Sequence, residues 1–143
     1  MNQVTDLIAG LNKLLEGEYV AMIHYVQHAA SVGGPNFEAF ASRLRQEAID
    51  EMEHAIILTQ AILSLGGVPE WEVGRSHPFA ADEARNVRAL LAHDLEHERE
   101  LIKRYVEVSA LCEKLGEHGL KVVLDGILAE EQQELYELER ILG

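Results

Sequence analysis

The chain has 143 residues, of which 48% are hydrophobic, and its formal net charge is -13. This length suffices for one domain with a sizeable core, so we expect residues 1–143 to form a single domain. The acidic balance argues against nucleic-acid binding, which relies on clustered Lys and Arg. The sequence has no apolar run typical of a membrane span and no leader pattern, and its single cysteine, Cys112, suits a reducing compartment. We therefore expect a cytoplasmic protein that binds neither membranes nor nucleic acid.

Three Gly-rich or Pro-rich breaks divide the sequence into four segments, each with apolar residues at three- and four-residue spacing. This spacing is typical of amphipathic helices and predicts helices at about 4–30, 36–65, 82–115 and 119–142. The first and last breaks are short, so they should join antiparallel neighbours. The middle connection is long and contains two prolines. The sequence thus predicts an all-α four-helix bundle of two antiparallel hairpins with a long crossover, in which we interpret Trp71 as a packing anchor.

Each predicted helix carries acidic residues within its apolar stripe. The polar residues that interrupt or border the four stripes are, in chain order, Glu18, Glu51, His54, Asp94, Glu98, Glu131 and Glu134. A buried and unpaired charge costs on the order of several kcal/mol, so the same anomaly in four helices indicates a common cause. A shared metal centre is such a cause.

The spacing of these residues supports a shared centre. In each hairpin, 33 residues separate a carboxylate on the first helix from one on the second, Glu18 from Glu51 and Glu98 from Glu131. This spacing brings the two carboxylates level when the helices are antiparallel. The sequence therefore predicts that four carboxylates meet in the middle of the bundle.

Each of the second helices adds a further ligand type three residues later, in the motifs Glu51-x-x-His54 and Glu131-x-x-Glu134. Residues at this spacing lie on one helical face. Carboxylates suit iron or manganese, and bridging by Glu51 and Glu131 would hold two ions a few ångströms apart. A structural zinc site would more often use several cysteines, which this chain lacks.

Two stretches of the sequence resemble bacterioferritins. Residues 11–18 with Tyr25, and residues 47–55 with their Glu-x-x-His motif, closely resemble the corresponding helices of that family. Residues 94–98 and 127–131 are similar in pattern. The resemblance covers nearly the whole chain and implies a ferritin-like di-iron protein.

The resemblance implies a ferroxidase, which binds two ferrous ions, passes their electrons to oxygen or peroxide and stores the ferric mineral inside a hollow homo-oligomer. It also implies the ligand set, with Glu18 and His54 terminal on one iron, Glu98 terminal on the other, and Glu51 and Glu131 bridging. Tyr25 occupies the position where such proteins keep a tyrosine beside the centre. Its alternative role is ordinary core packing with a satisfied hydroxyl.

The sequence departs from the family pattern at two places. Bacterioferritins carry a histidine at the position of Glu134, so the second half-site here would be all oxygen. The alternative match, Glu130-x-x-Gln133, is disfavoured because Gln133 points away from the apolar stripe. Five carboxylates around two divalent ions leave one excess negative charge, which should favour the ferric state or a third cation nearby. The sequence stops at Gly143 without the family's short fifth helix, so we expect a dimer or smaller shell as alternatives to the large cage.

Met52 stands where bacterioferritins place the sulfur that ligates haem at a two-fold interface. The neighbouring residues Tyr19, Ile23 and Glu53 match the family poorly, so we interpret Met52 as a packing residue and do not expect haem b.

Two histidine pairs have the spacing of adjacent positions on a helix. They are His24 with His28 and His93 with His97. Pairs at this spacing could bind a surface metal. Because they mostly face away from the centres of the apolar stripes, we interpret them instead as solvated. We also expect Asp94 to be an outer partner of the centre or part of a cation path, and Glu47 and Asp50 to pass iron along.

Two other functions remain open from the sequence. One is a Dps-like mini-ferritin or rubrerythrin-like di-iron peroxidase that protects against peroxide. The other is a structural bundle that binds a non-redox metal.

Overall fold

The computed structural model describes residues 3–73 and 85–143. These residues form four α-helices, which are α1 (Gln3–Ser31), α2 (Phe37–Ser64), α3 (Val87–Lys114) and α4 (His118–Leu142). No strand occurs in the described part of the chain, so the all-α prediction is confirmed. Within the same two ranges, no helix combines the length and the apolar character needed to cross a membrane.

The start of α3 differs from the prediction. Residues 85 and 86 are not helical, so α3 begins at Val87 and not at residue 82; residues 82–84 lie outside the described ranges. The side chain of Asn86 accepts a hydrogen bond of 3.1 Å from the backbone N–H of Ala89. Asparagine is a favoured N-cap because it satisfies a backbone donor that the helix leaves free. This cap sets the start of α3.

The directions of the helices follow from their contacts. Residue 25 contacts residue 98, whereas residue 18 contacts residue 105, so α1 and α3 are antiparallel. The short link at 32–36 also makes α2 antiparallel to α1. Consequently α2 and α3 are parallel, as the predicted crossover between two hairpins requires.

The crossover begins with a side-chain anchor on α1. The buried Asn12 donates a hydrogen bond of 3.1 Å to the carbonyl of Val68 and accepts one of 2.9 Å from the backbone N–H of Glu70. The interpretation of Trp71 as a packing anchor is wrong, because its side chain is 82% exposed. A buried amide that satisfies two backbone groups, and not an aromatic ring, fixes this segment.

Two apolar layers fill the bundle. One contains Leu11 and Leu58, and the other contains Leu44 and Leu91; all four side chains are at most 1% exposed. Between them the helices bury carboxylates, which the layers shield from water. A polar layer with apolar layers on both sides has a low effective dielectric, so charges within it interact strongly.

Close approach of α1 and α3 depends on Gly17. A Cβ at this position would lie 2.5 Å from Cδ1 of Leu101, whose side chain is buried in the core. We expect Gly17→Ala to lower the free energy of unfolding by about 1–3 kcal/mol, because the core must shift to admit the methyl group. The matched control is Gly126→Ala in α4, where nothing lies within 4 Å. It should stabilise the helix by about 0.5–1 kcal/mol. Urea unfolding measures both changes, and equal effects would contradict the close approach.

Candidate metal centre

The middle of the bundle holds carboxylates from all four helices. Glu18 of α1, Glu51 of α2, Glu98 of α3 and Glu131 of α4 are each 0% exposed. The 33-residue spacing within each hairpin predicted that these residues lie level, and the structure places them together. We refer to them, with His54 and Glu134, as the carboxylate cluster.

The ligand atoms of the carboxylate cluster form two overlapping groups, in each of which they lie within 4.8 Å of one another. The first group contains Glu18, Glu51, His54 and Glu131, and the second contains Glu51, Glu98, Glu131 and Glu134. Glu51 and Glu131 belong to both groups. The structure therefore brings together all six side chains that the sequence singled out as ligands, with the two expected bridging residues shared.

The ring of His54 is oriented by a residue that the sequence analysis did not select. Its Nε2–H donates to Oε2 of Glu130 at 2.5 Å. Its Nδ1 consequently faces the cluster, 2.9 Å from Oε1 of Glu131 and 3.3 Å from Oε2 of Glu18. A histidine that holds a carboxylate through one nitrogen and presents the other inward is a common metal-ligand arrangement. Glu130 was considered from the sequence only in the alternative motif with Gln133, which was disfavoured. Its side chain is 66% exposed and lies off the apolar stripe.

Two buried tyrosines brace the cluster in a crossed pattern. Tyr25 of α1 donates a hydrogen bond of 3.1 Å to Oε1 of Glu98, and Tyr105 of α3 donates one of 3.0 Å to Oε1 of Glu18. Tyr25 lies beside the carboxylate cluster, as the resemblance led us to expect. Tyr105 was not among the residues selected from the sequence. The sequence feature that could have identified Tyr105 is its spacing, because it follows Glu98 by seven residues as Tyr25 follows Glu18.

Burial changes the protonation of the carboxylates. It raises the pKa of Glu51, Glu98 and Glu134 well above the ordinary range, and neighbouring carboxylates raise these pKa values further. Burial, followed by repulsion from Glu18, also raises the pKa of Glu131 to about 8. Without metal, the cluster therefore retains protons at neutral pH, and a divalent cation would replace them.

Burial and the neighbouring carboxylates have opposing effects on the pKa of His54. Burial lowers the pKa of this imidazole, but its contacts with Glu131, Glu18 and Glu51 outweigh burial and raise the pKa overall. In the metal-free protein the imidazolium is therefore a positive charge inside the cluster. A cation that binds there would take over this role.

Several carboxylate oxygens of the cluster have no hydrogen-bond donor among the described residues. These atoms include Oε2 of Glu51, Glu98, Glu131 and Glu134, all closed to solvent. Buried polar atoms are normally paired, so such a set is typical of metal ligands. Oxygen donors with one imidazole nitrogen fit iron or manganese.

Comparison with known proteins identifies the family. Residues 8–143 match the family model described as a ferritin-like domain. The chain belongs to this family. It is similar to a bacterial ferritin from Synechocystis sp., with 33% identity over 96% of this chain and 86% of the relative. It is also similar to a bacterioferritin from Mycobacterium leprae, with 29% identity over 96% of this chain and 84% of the relative.

A crystal structure described as ferritin like, diiron-carboxylate proteins from Bacillus anthracis str. Ames is similar to the whole chain. The TM-score is 0.93 and the sequence identity is 34%, with 100% of this chain and 99% of the other covered. This ferritin-like protein therefore has the fold and the family that the sequence predicted.

The ferritin-like bundle opens beside the cluster at a groove between α2 and α4. Ligand oxygens of Glu47, Asp50 and Glu134 form a third group within 4.8 Å, and these residues line the groove together with Glu130. Arg43 partly offsets their charge, with contacts of 3.5 Å to Glu47 and 2.8 Å to Glu137 outside this group. Met52 is 43% exposed.

The histidine pairs of the ferritin-like chain are not solvated, which corrects the interpretation from the sequence. His24 and His28 are 5% and 3% exposed, and His93 and His97 of α3 are half-buried beside them. The helical stripe of a single helix could not reveal this, because the burial arises from the approach of α1 to α3. Asp94, 2% exposed, lies among these histidines.

Proposed function

We propose that this ferritin-like protein is a ferroxidase that takes Fe(II) as its substrate and oxidises it to Fe(III) at the carboxylate cluster, with a role in iron storage and detoxification. The observation that carries the proposal is the pair of overlapping ligand groups that share Glu51 and Glu131. Two cations held side by side can each give up one electron. Their two electrons, with two protons, reduce oxygen to hydrogen peroxide or hydrogen peroxide to two water molecules.

The proposed ligand roles follow the two groups. Glu18 and His54 would be terminal on one ion, Glu98 and Glu134 would be terminal on the other, and Glu51 and Glu131 would bridge. One half-site has an imidazole nitrogen, whereas the other has oxygen alone. The two irons of the proposed centre should therefore be inequivalent.

The tyrosines prepare two of these carboxylates for a cation. Each hydroxyl fixes Oε1 of its partner, Glu98 or Glu18. Oε2 of Glu98 has no hydrogen-bond donor among the residues described, and Oε2 of Glu18 faces Nδ1 of His54 at 3.3 Å. One oxygen is thus held by a tyrosine and the other would be available to an ion in the carboxylate cluster. Held ligands bind a cation more tightly because less conformational freedom is lost on binding.

We propose the acidic groove between α2 and α4 as the route of Fe(II). Its carboxylates Glu47 and Asp50 lead to Glu134, which also belongs to the second ligand group. Burial raises the pKa of Glu47, and contacts with Glu134 and Arg43 oppose this rise. A chain of carboxylates attracts divalent cations and passes them from one to the next.

Anaerobic titration with Fe(II), followed by mixing with oxygen or peroxide, tests the proposal. We expect two ferrous ions to bind per chain and to be oxidised rapidly. The oxidant that reacts faster, oxygen or peroxide, is expected to be the natural one. Bound metal that neither oxygen nor peroxide oxidises would contradict the proposal and indicate a non-redox bundle.

Tyr105→Phe should weaken Fe(II) binding by about 10-fold, because residues that orient a ligand typically contribute 10- to 100-fold to metal affinity. The change removes the hydroxyl that holds Glu18 but leaves the ring in the core. Tyr136→Phe is the matched control, since this tyrosine of α4 is 55% exposed. Isothermal titration under anaerobic conditions measures both. Equal affinities in the two variants would contradict the role of Tyr105.

We further propose that the protein is a homo-oligomer whose copies meet through the outer face of the α1–α2 hairpin. Val26, Ile49, Met52 and Ile56 are each more than 40% exposed, and the last three lie on one side of α2. Exposed apolar groups of this size are typical of protein interfaces. Native mass spectrometry should give a dimer or a shell, and Ile49→Glu should dissociate it. A wild-type monomer would contradict this assembly. Separately, a haem band in the absorption spectrum would contradict the expected packing role of Met52.

A further inference from the structure

A second cluster of metal-binding side chains lies between α1 and α3, apart from the carboxylate cluster. α1 contributes His24 and His28, and α3 contributes His93, Asp94 and His97. His24, His28 and Asp94 are buried, whereas His93 and His97 are half-buried and provide access from the surface. We call these five residues the histidine cluster.

The geometry of the histidine cluster permits three ligands to share one ion. A ligand nitrogen of His24, a ligand nitrogen of His93 and a carboxylate oxygen of Asp94 lie within 4.8 Å of one another. The rings of His24 and His93 have centroids 4.7 Å apart and planes inclined by 60°. Inclined rings direct their nitrogens towards a common point more readily than parallel rings do.

The other two histidines hold the ligands in place. Nδ1 of His28 donates to the carboxylate of Asp94, at 2.9 Å from Oδ1 and 3.0 Å from Oδ2. Nε2–H of His97 donates to the carbonyl of Gly17 at 2.9 Å, which ties this end of α3 to α1. A ligand carboxylate oriented by a second hydrogen-bonding group is typical of functional metal sites. The cluster thus has both a ligand set and a set of supporting residues.

We propose that His24, His93 and Asp94 bind one divalent transition-metal ion of borderline softness, of the class of Zn²⁺, Co²⁺ or Ni²⁺. Imidazole nitrogens suit this class, whereas the oxygen-rich carboxylate cluster suits harder ions. Three protein ligands leave a further coordination position for water or another small molecule. The two sites therefore differ in donor set and in the metal that they prefer.

The two sites are close but do not share ligands. Asp94 lies one helical turn before Glu98, so roughly 6 Å of helix separates the carboxylate of one site from that of the other. The histidine cluster does not depend on the proposed ferroxidase activity, because its ligands are distinct. A redox-inert probe, Zn²⁺, tests it without iron chemistry.

Imidazole ¹⁵N spectra of the wild-type protein give the first test and require no substitution. On addition of Zn²⁺, the ring nitrogens of His24 and His93 should shift strongly, whereas those of the exposed His118 should not. Unchanged His24 and His93 signals at saturating Zn²⁺ would overturn the proposal.

The second test removes the carboxylate cluster as a competing site. In the Glu51→Gln, Glu131→Gln double variant we expect one Zn²⁺ per chain after dialysis, measured by atomic emission. Adding His93→Asn should abolish this Zn²⁺, whereas adding the matched control His118→Asn should not. Failure of the double variant to hold Zn²⁺, or retention of Zn²⁺ after His93→Asn, would overturn the proposal.

Discussion

Glu51→Gln should lower the rate of Fe(II) oxidation by on the order of 100-fold or more. Glu51 belongs to both ligand groups, so its replacement removes one charge and one ligand from both metal positions at once. The amide has nearly the same shape as the carboxyl, and burial already disfavours the charged carboxylate by raising the pKa of Glu51. The bundle should therefore fold normally. Stopped-flow absorbance of the ferric product measures the rate.

Glu53→Gln is the matched control for this change. Glu53 lies on the same helix two residues away, is exposed and belongs to none of the ligand groups. The substitution removes the same charge from the chain as a whole, so it separates the local effect from that of net charge. Glu53→Gln should oxidise Fe(II) at the wild-type rate, whereas Glu51→Gln should show the full loss. A Glu51→Gln protein with more than half of the wild-type rate would show that Glu51 is not a ligand of the proposed centre.

The metal-free protein should lose stability as the pH rises from about 4.5 towards 8. Burial raises the pKa of Glu131 from 4.5 to about 8, and it raises the pKa of Glu51, Glu98 and Glu134 in the same direction. Between pH 4.5 and pH 8 the folded state holds protons that the unfolded state has released. The free energy of unfolding therefore falls as the pH rises through this range. For each group, the free energy of unfolding falls by about 1.4 kcal/mol per unit by which its pKa is raised.

His54 adds to the same trend. Its raised pKa means that the folded state keeps the imidazolium above pH 6.5, where the unfolded chain is neutral. This contribution is complete below pH 6.5 and is lost as the pH rises. The half-buried Asp125 and Glu137 act in the opposite direction only in acid, because hydrogen bonds with Lys121 and Gln133 respectively lower their pKa values.

Divalent metal should reverse this dependence. Mn²⁺, which is not oxidised under these conditions, replaces protons in the cluster and binds better once the carboxylates are ionised. At 100 times its dissociation constant, one bound ion adds about 2.7 kcal/mol to the free energy of unfolding. Urea unfolding at pH 5 and pH 8, with and without Mn²⁺, measures the change. Metal-free protein that is more stable at pH 8 than at pH 5 would show that the carboxylates do not share protons as described.

The fold, and the set of side chains that lie together at its centre, could be predicted because both depend on spacing along the chain. Helices at three- and four-residue apolar spacing, and the equal separations of Glu18 from Glu51 and Glu98 from Glu131, fix which side chains meet when the hairpins close. The motif of Glu51 and His54 needs only the geometry of one helix.

The remaining features depend on contacts between helices, which spacing does not encode. Glu130 lies off the apolar stripe and reaches His54 across the gap between α4 and α2. The histidine cluster exists because Gly17 lets α3 approach α1 closely, with His97 bonded to its carbonyl. A helical wheel assigns such residues to the surface because it represents each helix alone.

In the proposed centre, Glu51 and Glu131 hold two irons in unlike surroundings. The most direct measurement is the Mössbauer spectrum of the protein loaded anaerobically with two equivalents of ⁵⁷Fe(II). One position includes the nitrogen of His54 and the other is all oxygen, so the spectrum should contain two different ferrous doublets of equal area. A single doublet, or binding of only one ferrous ion per chain, would contradict the proposed centre.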